Sequence, residues 1–287
     1  MSASVDQAFI TQWMDFVVHA ANQSQSRLSD AVRVKTGVIG STCRFNKLDD
    51  SDMYSGSRHG DTILADDAHS YADATLHDWH KALLVDDLDK LKTLVSLENE
   101  YTKNILASIQ RRKDKTIIAD GLAQATPTYS VTGTTNGGLE YSTMVDVAGL
   151  AEDLEWPEED RYMGFTGASL TTLLDDAQLT SKDYGTLRAI QSGRLAPDEM
   201  FMGFKWRKLN GPYLLAASMR TGAVGSVTGE YLFAWQKDAI GLAIGAEGKV
   251  RIAERPDKNH AIQVYGSLSL GACKIDDERI IRVTIDY

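Results

Sequence analysis

The chain has 287 residues, 43% of them hydrophobic and 24% charged, a composition that can bury a sizeable core and excludes a disordered polymer. Thirty basic against 40 acidic residues give a formal net charge of -10, which excludes a general nucleic-acid binder, because phosphate affinity needs clustered Lys and Arg. No apolar run approaches the roughly 20 residues of a membrane span. Cys43 and Cys273 stand far apart with no CxxC spacing, so they read as reduced thiols.

The first segment, Val5 to about Ser26, carries Phe9, Ile10, Trp13, Phe16 and Val17 at spacings of three and four, which predicts an amphipathic helix. It is expected to be an arm that docks on a neighbouring copy; the plainer alternative is a helix packed on its own core. Two runs, Gly37 to Leu48 and Ser70 to Leu84, have the β-branched and aromatic content of strands. The polar stretch between them is longer than compact domains usually tolerate, so a long projecting hairpin is expected, with its tip at Met53 to Asp61. Met53, Tyr54, Arg58 and His59 at that tip, with Trp13 and Phe16 on the arm, are the expected intersubunit contacts. DDLDKLKTLV then reads as a short helix with acidic residues at its start.

Ser96 to Gln124 reads as the longest helix, on the order of 40 Å, with Leu97, Tyr101, Ile105 and Ile109 at four-residue spacing. After Pro127, TYSVTGTTNGGLEYS is read as a turn-rich connection. Val145 to Leu154 and SLTTLLDDA read as helices, DRYMGFTG and FMGFKWRKL as strands. Three β-like runs finish the chain, and Ile281, Val283, Ile285 and Tyr287 alternate to the last residue. This mixture predicts an α+β or α/β layered fold.

Each possible centre of chemistry has a simpler reading. His77 and His80 would point to opposite faces of an extended segment, which does not suit a metal site. Asp86, Asp87 and Asp89 are explained by a helix start. Arg111, Arg112 and Lys113 are read as an intersubunit salt-bridge surface on the long helix. The glycines of TGTTNGG and GLAIGAEG match no nucleotide-binding loop, and no nucleophile motif occurs. Trp206, Tyr231, Phe233 and Trp235 are read as core or interface anchors. No cofactor, metal or catalytic residue is assigned.

The strings RHGDTILADDAHSYADATLHDWHKALLVDDLDKLKT, DRYMGFTGASLTTLLDD and YLFAWQKDAIGLAIGAEGKVRIAERPDKNHAIQVYGSLSLGACKIDDERIIRVTIDY resemble podophage and siphophage coat proteins, the tailed-bacteriophage major capsid proteins of the Hong Kong 97-type fold. The resemblance implies an N-terminal arm over 1–36, an extended E-loop over 37–84 and a spine helix of a peripheral P-domain over 85–125. It further implies a mixed α/β axial A-domain over 126–238 and C-terminal P-domain strands over 239–287. It implies self-assembly as hexamers and pentamers into an icosahedral head, made in the host cytoplasm and retained in the virion. Scaffolding protein and portal are the implied partners, with a decoration protein where one exists and packaged DNA held by weak non-specific contact; no membrane is involved. Some relatives cross-link an E-loop lysine to a P-domain asparagine, and Lys47 and Asn259 stand in loosely comparable regions. Noncovalent closure is expected here. The rival readings are an encapsulin-like nanocompartment shell and a soluble α/β enzyme.

Overall fold

The computed structural model describes residues 23–49, 52–56, 58–62, 64, 67–85, 97–133, 138–176, 200–221 and 228–287. The fold is mixed α+β. The described elements are β1 (Arg33–Thr36), β2 (Thr42–Leu48), β3 (His69–Thr75), β4 (His77–Val85), α1 (Leu97–Thr116), β5 (Tyr129–Thr132), α2 (Tyr141–Asp153), β6 (Arg161–Phe165) and α3 (Gly167–Asp175). They continue with β7 (Met200–Phe201), β8 (Phe204–Lys208), α4 (Gly211–Ala216), β9 (Arg220–Thr221), β10 (Gly229–Gln236), β11 (Ile240–Arg255), β12 (Ala261–Lys274) and β13 (Ile280–Asp286). The expected arm helix and the acidic short helix with its Asp86, Asp87 and Asp89 lie outside the described residues.

The chain divides into two compact units. The larger comprises residues 27–77, 113–245 and 270–287, and the described part of the smaller comprises 23–26, 78–85, 97–112 and 246–269.

The larger unit is built on a sheet ordered β5-β13-β10-β6-β8-β7, with β9 also pairing β10. β13 pairs antiparallel with β10, setting Val283 opposite Leu232, and parallel with β5. Alternation in β13 follows the pleat: Ile281, Val283 and Ile285 are buried while Arg282 and Thr284 are half-buried. β6 is buried at all five positions, as suits a strand covered on both faces. At Gly164 in β6 a Cβ would stand 2.6 Å from a methyl of buried Leu209, which would have to shift to admit it. Trp206 and Trp235 fill the core, and the Trp235 indole N–H donates to the Ala31 carbonyl at 2.8 Å. That bond, with the Asp114 carboxylate accepting from the Arg27 and Leu28 amides at 3.0 and 3.3 Å, fixes where the chain enters the unit. Thr166 and Ser169 form a reciprocal cap at the start of α3.

Several expected boundaries move for identifiable reasons. The run expected as a strand from Gly37 begins at Thr42, because Gly37 and Gly40 adopt φ of 69° and 113° and turn the chain between β1 and β2. Ser70 to Leu84 is two strands: the Leu76 amide donates to the Ser41 carbonyl at 2.8 Å, so β3 pairs with β2 while β4 joins the sheet β1-β11-β12-β4. The long helix is α-helical to Thr116 and then widens to π geometry over Ile117–Leu122. TYSVT, expected to be turn, is strand β5, recruited by parallel pairing with β13 that buries Val131. FMGFKWRKL is a tight hairpin, β7 and β8, turning at Met202 and Gly203 with φ of 52° and 79°.

In the smaller unit α1 lies unusually close to β11 and β12. A Cβ on Gly266 would fall 2.3 Å from Ile105, and one on Gly248 would fall 2.7 Å from Ile109. The two glycines therefore form the bed for two isoleucines of one helical face.

Candidate assembly surfaces

The β2–β3 hairpin has two chemically different ends. Its strands pair antiparallel from Thr42↔Thr75 to Leu48↔His69. At the base, Cys43, Phe45 and Ala74 point inward and form a small apolar cluster with Ala243 and Cys273. The Phe45 ring occupies the space a side chain would take at Gly241, where a Cβ would meet it at 2.8 Å. Burial first, and then the neighbouring Cys43, push the Cys273 thiol up to about 12, which makes it a poor nucleophile; both cysteines are buried and free. On the outer face Arg44 clamps Asp73 with two bonds of 2.9 and 3.0 Å and covers the Tyr71 ring at 3.7 Å.

Lys47 marks the transition between the two ends. Its ammonium donates to buried Asp276 at 3.0 Å and lies 3.5 Å from Asp49. Burial pulls its pKa down, but the hydrogen bonds and charges of the two carboxylates outweigh that and hold it above the ordinary lysine value.

Beyond Lys47 the apolar side chains lose their cover. Leu48 is 58% exposed, Met53 100%, Tyr54 61% and Leu64 88%. Arg58 and His59 are exposed beside them, and His59 turns the chain at φ 68°. The structure thus brings Met53, Tyr54, Arg58 and His59 together on one connection, while Trp13 and Phe16 lie outside the described residues. Scattered exposed apolar residues are ordinary; several on one connection make it a candidate interaction surface. Ile39, 98% exposed between Gly37 and Gly40, belongs to the same class and escaped sequence reasoning, because one isoleucine between glycines carries no periodic signal.

Arg111 and Arg112 are half-buried on α1 in the smaller unit. Arg111 donates to the Gln23 carbonyl at 2.9 Å and to Ser108 at 3.0 Å, and the Arg112 guanidinium stacks 3.1 Å above the Trp79 ring. Both side chains therefore have partners within their own chain.

Polar groups buried in the larger unit are organised as structural ties. Glu230 accepts hydrogen bonds from the Thr166 hydroxyl at 2.6 Å and from the Tyr287 phenol at 2.5 Å, with Arg220 at 3.9 Å. Burial first, then the Glu230 carboxylate, hold the Tyr287 phenol far above its ordinary value. Arg161, also buried, bonds Glu152 and the Trp156 and Pro157 carbonyls. Of the aromatics read as anchors, Trp206, Phe233 and Trp235 are core, whereas Tyr231 is 41% exposed with Arg282 over its ring. His77 and His80 are both exposed, and His80 stacks on Tyr265. Among the described residues no group of three or more His, Cys, Asp and Glu could hold a metal ion, and no helix is long and apolar enough to cross a membrane.

The chain belongs to the phage capsid protein family, whose model matches residues 5–286, and it is a structural major capsid protein, a component of the virion. The solved capsid of cyanophage P-SCSP1u is similar over 99% of this chain and 94% of its own, with a TM-score of 0.75 at 14% identity. Mycobacterium phage Che8 gives a TM-score of 0.68 at 14% identity, covering 96% of this chain and 97% of that one. The head structure of Helicobacter pylori bacteriophage KHP40 gives 0.69 at 10% identity, covering 99% and 97%. At these identities the likeness is one of fold. No curated protein matches the sequence.

Proposed function

We propose that the chain tiles an icosahedral phage head as hexamers and pentamers, with the β2–β3 hairpin acting as an E-loop that lies across the adjacent copy. The observation that carries this reading is the run of uncovered apolar side chains, Leu48, Met53, Tyr54 and Leu64, beyond a firmly anchored base. Covering such side chains contributes on the order of 1.5–3 kcal/mol each, and repetition around a closed shell multiplies the gain. α1 serves as the spine helix, the C-terminal strands β11, β12 and β13 complete a P-domain, and the elements from β5 to β10 belong to an A-domain. Arg58 and His59 contribute polar contacts at the same copy-to-copy surface, and Arg111 and Arg112 contribute at the outer edge of α1. The role is structural, without catalysis.

Assembly in the host cytoplasm around a scaffolding protein, with a portal at one vertex and a decoration protein where one exists, fits this design. The net charge of -10 makes contact with packaged DNA weak and non-specific. Deleting residues 53–61 tests the hairpin's role. Negative-stain electron microscopy is expected to find no closed particles, while circular dichroism and the thermal midpoint of the unassembled protein stay at wild-type values. Intact particles from the deletion would remove the hairpin from the assembly contacts. A single 31.5 kDa band from boiled particles on a denaturing gel is expected for noncovalent closure, and a ladder would instead indicate covalent cross-links.

A further inference from the structure

In the smaller unit, α1, β4 and β12 enclose a groove of about 160 Å³. Ile105, Ile109 and Leu268 form its floor, Trp79 a wall, and Lys81 and Arg112 part of its rim. The floor residues are at most 8% exposed and Trp79 is 38% exposed. Lys81 donates to Ser108 at 3.0 Å and to Asn104 at 3.2 Å, and Arg111 donates to the same Ser108 hydroxyl at 3.0 Å. With the Gln23 carbonyl added, the hydrogen-bond partners of Lys81 and Arg111 among the described residues are neutral. Burial, and then the charge of Arg111, hold Lys81 below the ordinary lysine value. An apolar floor with an aromatic wall and a cationic rim fits an aromatic side chain carried by an amphipathic segment that is acidic or uncharged.

Two observations name that segment. Arg111 grips the Gln23 carbonyl at 2.9 Å, so the chain enters this unit at the helical turn that borders the groove. The residues before it carry the apolar stripe Phe9, Ile10, Trp13, Phe16 and Val17, with Asp6 and Asp15 and no Lys or Arg before Arg27. Stripe and charge both complement the groove. The ten-residue step from Trp13 to Gln23 covers about 15 Å if helical and about 33 Å if extended, enough to reach any part of a groove bordered by that turn.

We propose that Trp13 of the same chain seats in this groove, so that the arm docks on its own subunit and not on a neighbour. This goes beyond the shell reading and stands or falls separately from it. The test uses the full chain with the photoreactive residue p-benzoylphenylalanine in place of Trp13, made in light and nitrogen-15 forms that are mixed before irradiation. Mass spectrometry is expected to find adducts to peptides containing residues 79–81, 105–112 or 266–268, each bearing a single isotope label. Adducts joining the two labels would assign the groove to another copy's arm and overturn the proposal, as would adducts confined to other segments. A second measurement does not depend on the inserted residue. Trp13→Ala is expected to speed amide hydrogen exchange across 105–112 about tenfold and Asp15→Lys to speed it by a smaller factor, while Trp13→Phe stays near wild type. Equal exchange in all four proteins would equally overturn it. Because both readouts work on unassembled protein, failure to form particles would count against the shell reading alone.

Discussion

The hairpin β2–β3 and the strand pair β10–β13 belong to the same unit and are both antiparallel, yet they solve opposite problems. β10 and β13 lie inside a seven-stranded sheet, and their apolar side chains find cover within the chain: Leu232, Trp235, Ile281 and Val283 are buried. The hairpin buries Cys43, Phe45 and Ala74 at its base and leaves Leu48, Met53 and Tyr54 open beyond Lys47. On the proposed reading, the difference separates folding from assembly. One strand pair is satisfied within its own subunit; the other holds apolar area in reserve.

Three substitutions sharpen that contrast. The largest effect is expected in the sheet. Trp235→Ala removes a fully buried indole and its bond to the Ala31 carbonyl, which should cost about 3–5 kcal/mol, read as a lower midpoint in urea. An unchanged midpoint would mean that the sheet is not the folding core. Next comes Tyr287→Phe, which removes one of the two hydrogen bonds to buried Glu230 and should cost about 1.5–3 kcal/mol by the same measurement. Smallest is Met53→Ser at a fully exposed position, which should move the folding midpoint by less than about 0.5 kcal/mol. In the same protein, particle yield on a sucrose gradient should fall. A loss of folding stability at Met53 as large as at Tyr287 would erase the distinction between the two regions.

The parts of this molecule that could be read from the sequence are those whose burial pattern is local. The alternation of Ile281, Val283 and Ile285 survives intact in β13, and the continuous apolar run of β6 is the signature of a strand covered on both faces. What escaped depends on partners distant in sequence. β5 is a strand because β13 pairs with it, although its Thr- and Gly-rich setting favours turns. The break at Leu76 exists because the Ser41 carbonyl captures its amide. The widening of the helix after Thr116 leaves no mark in an apolar pattern that runs on through Ile117, Ile118 and Leu122. For the proposed assembly surface, the sequence offered only the length of the connection. The anchoring of its base by Phe45 over Gly241 and by Lys47 on Asp276 required coordinates.

The ring of Phe45 set on bare Gly241 has a geometric consequence for a closed shell. In the shell proposed above, rings of five and rings of six would meet their neighbours at different curvature, so identical subunits would bend differently somewhere. An aromatic plate filling the void above a glycine leaves no slack for tilting, because any rotation would open a cavity or drive the ring into the backbone. On the proposed shell reading, the root of the hairpin therefore keeps one angle in every subunit, and the adjustment between pentamer and hexamer falls on other parts of the molecule.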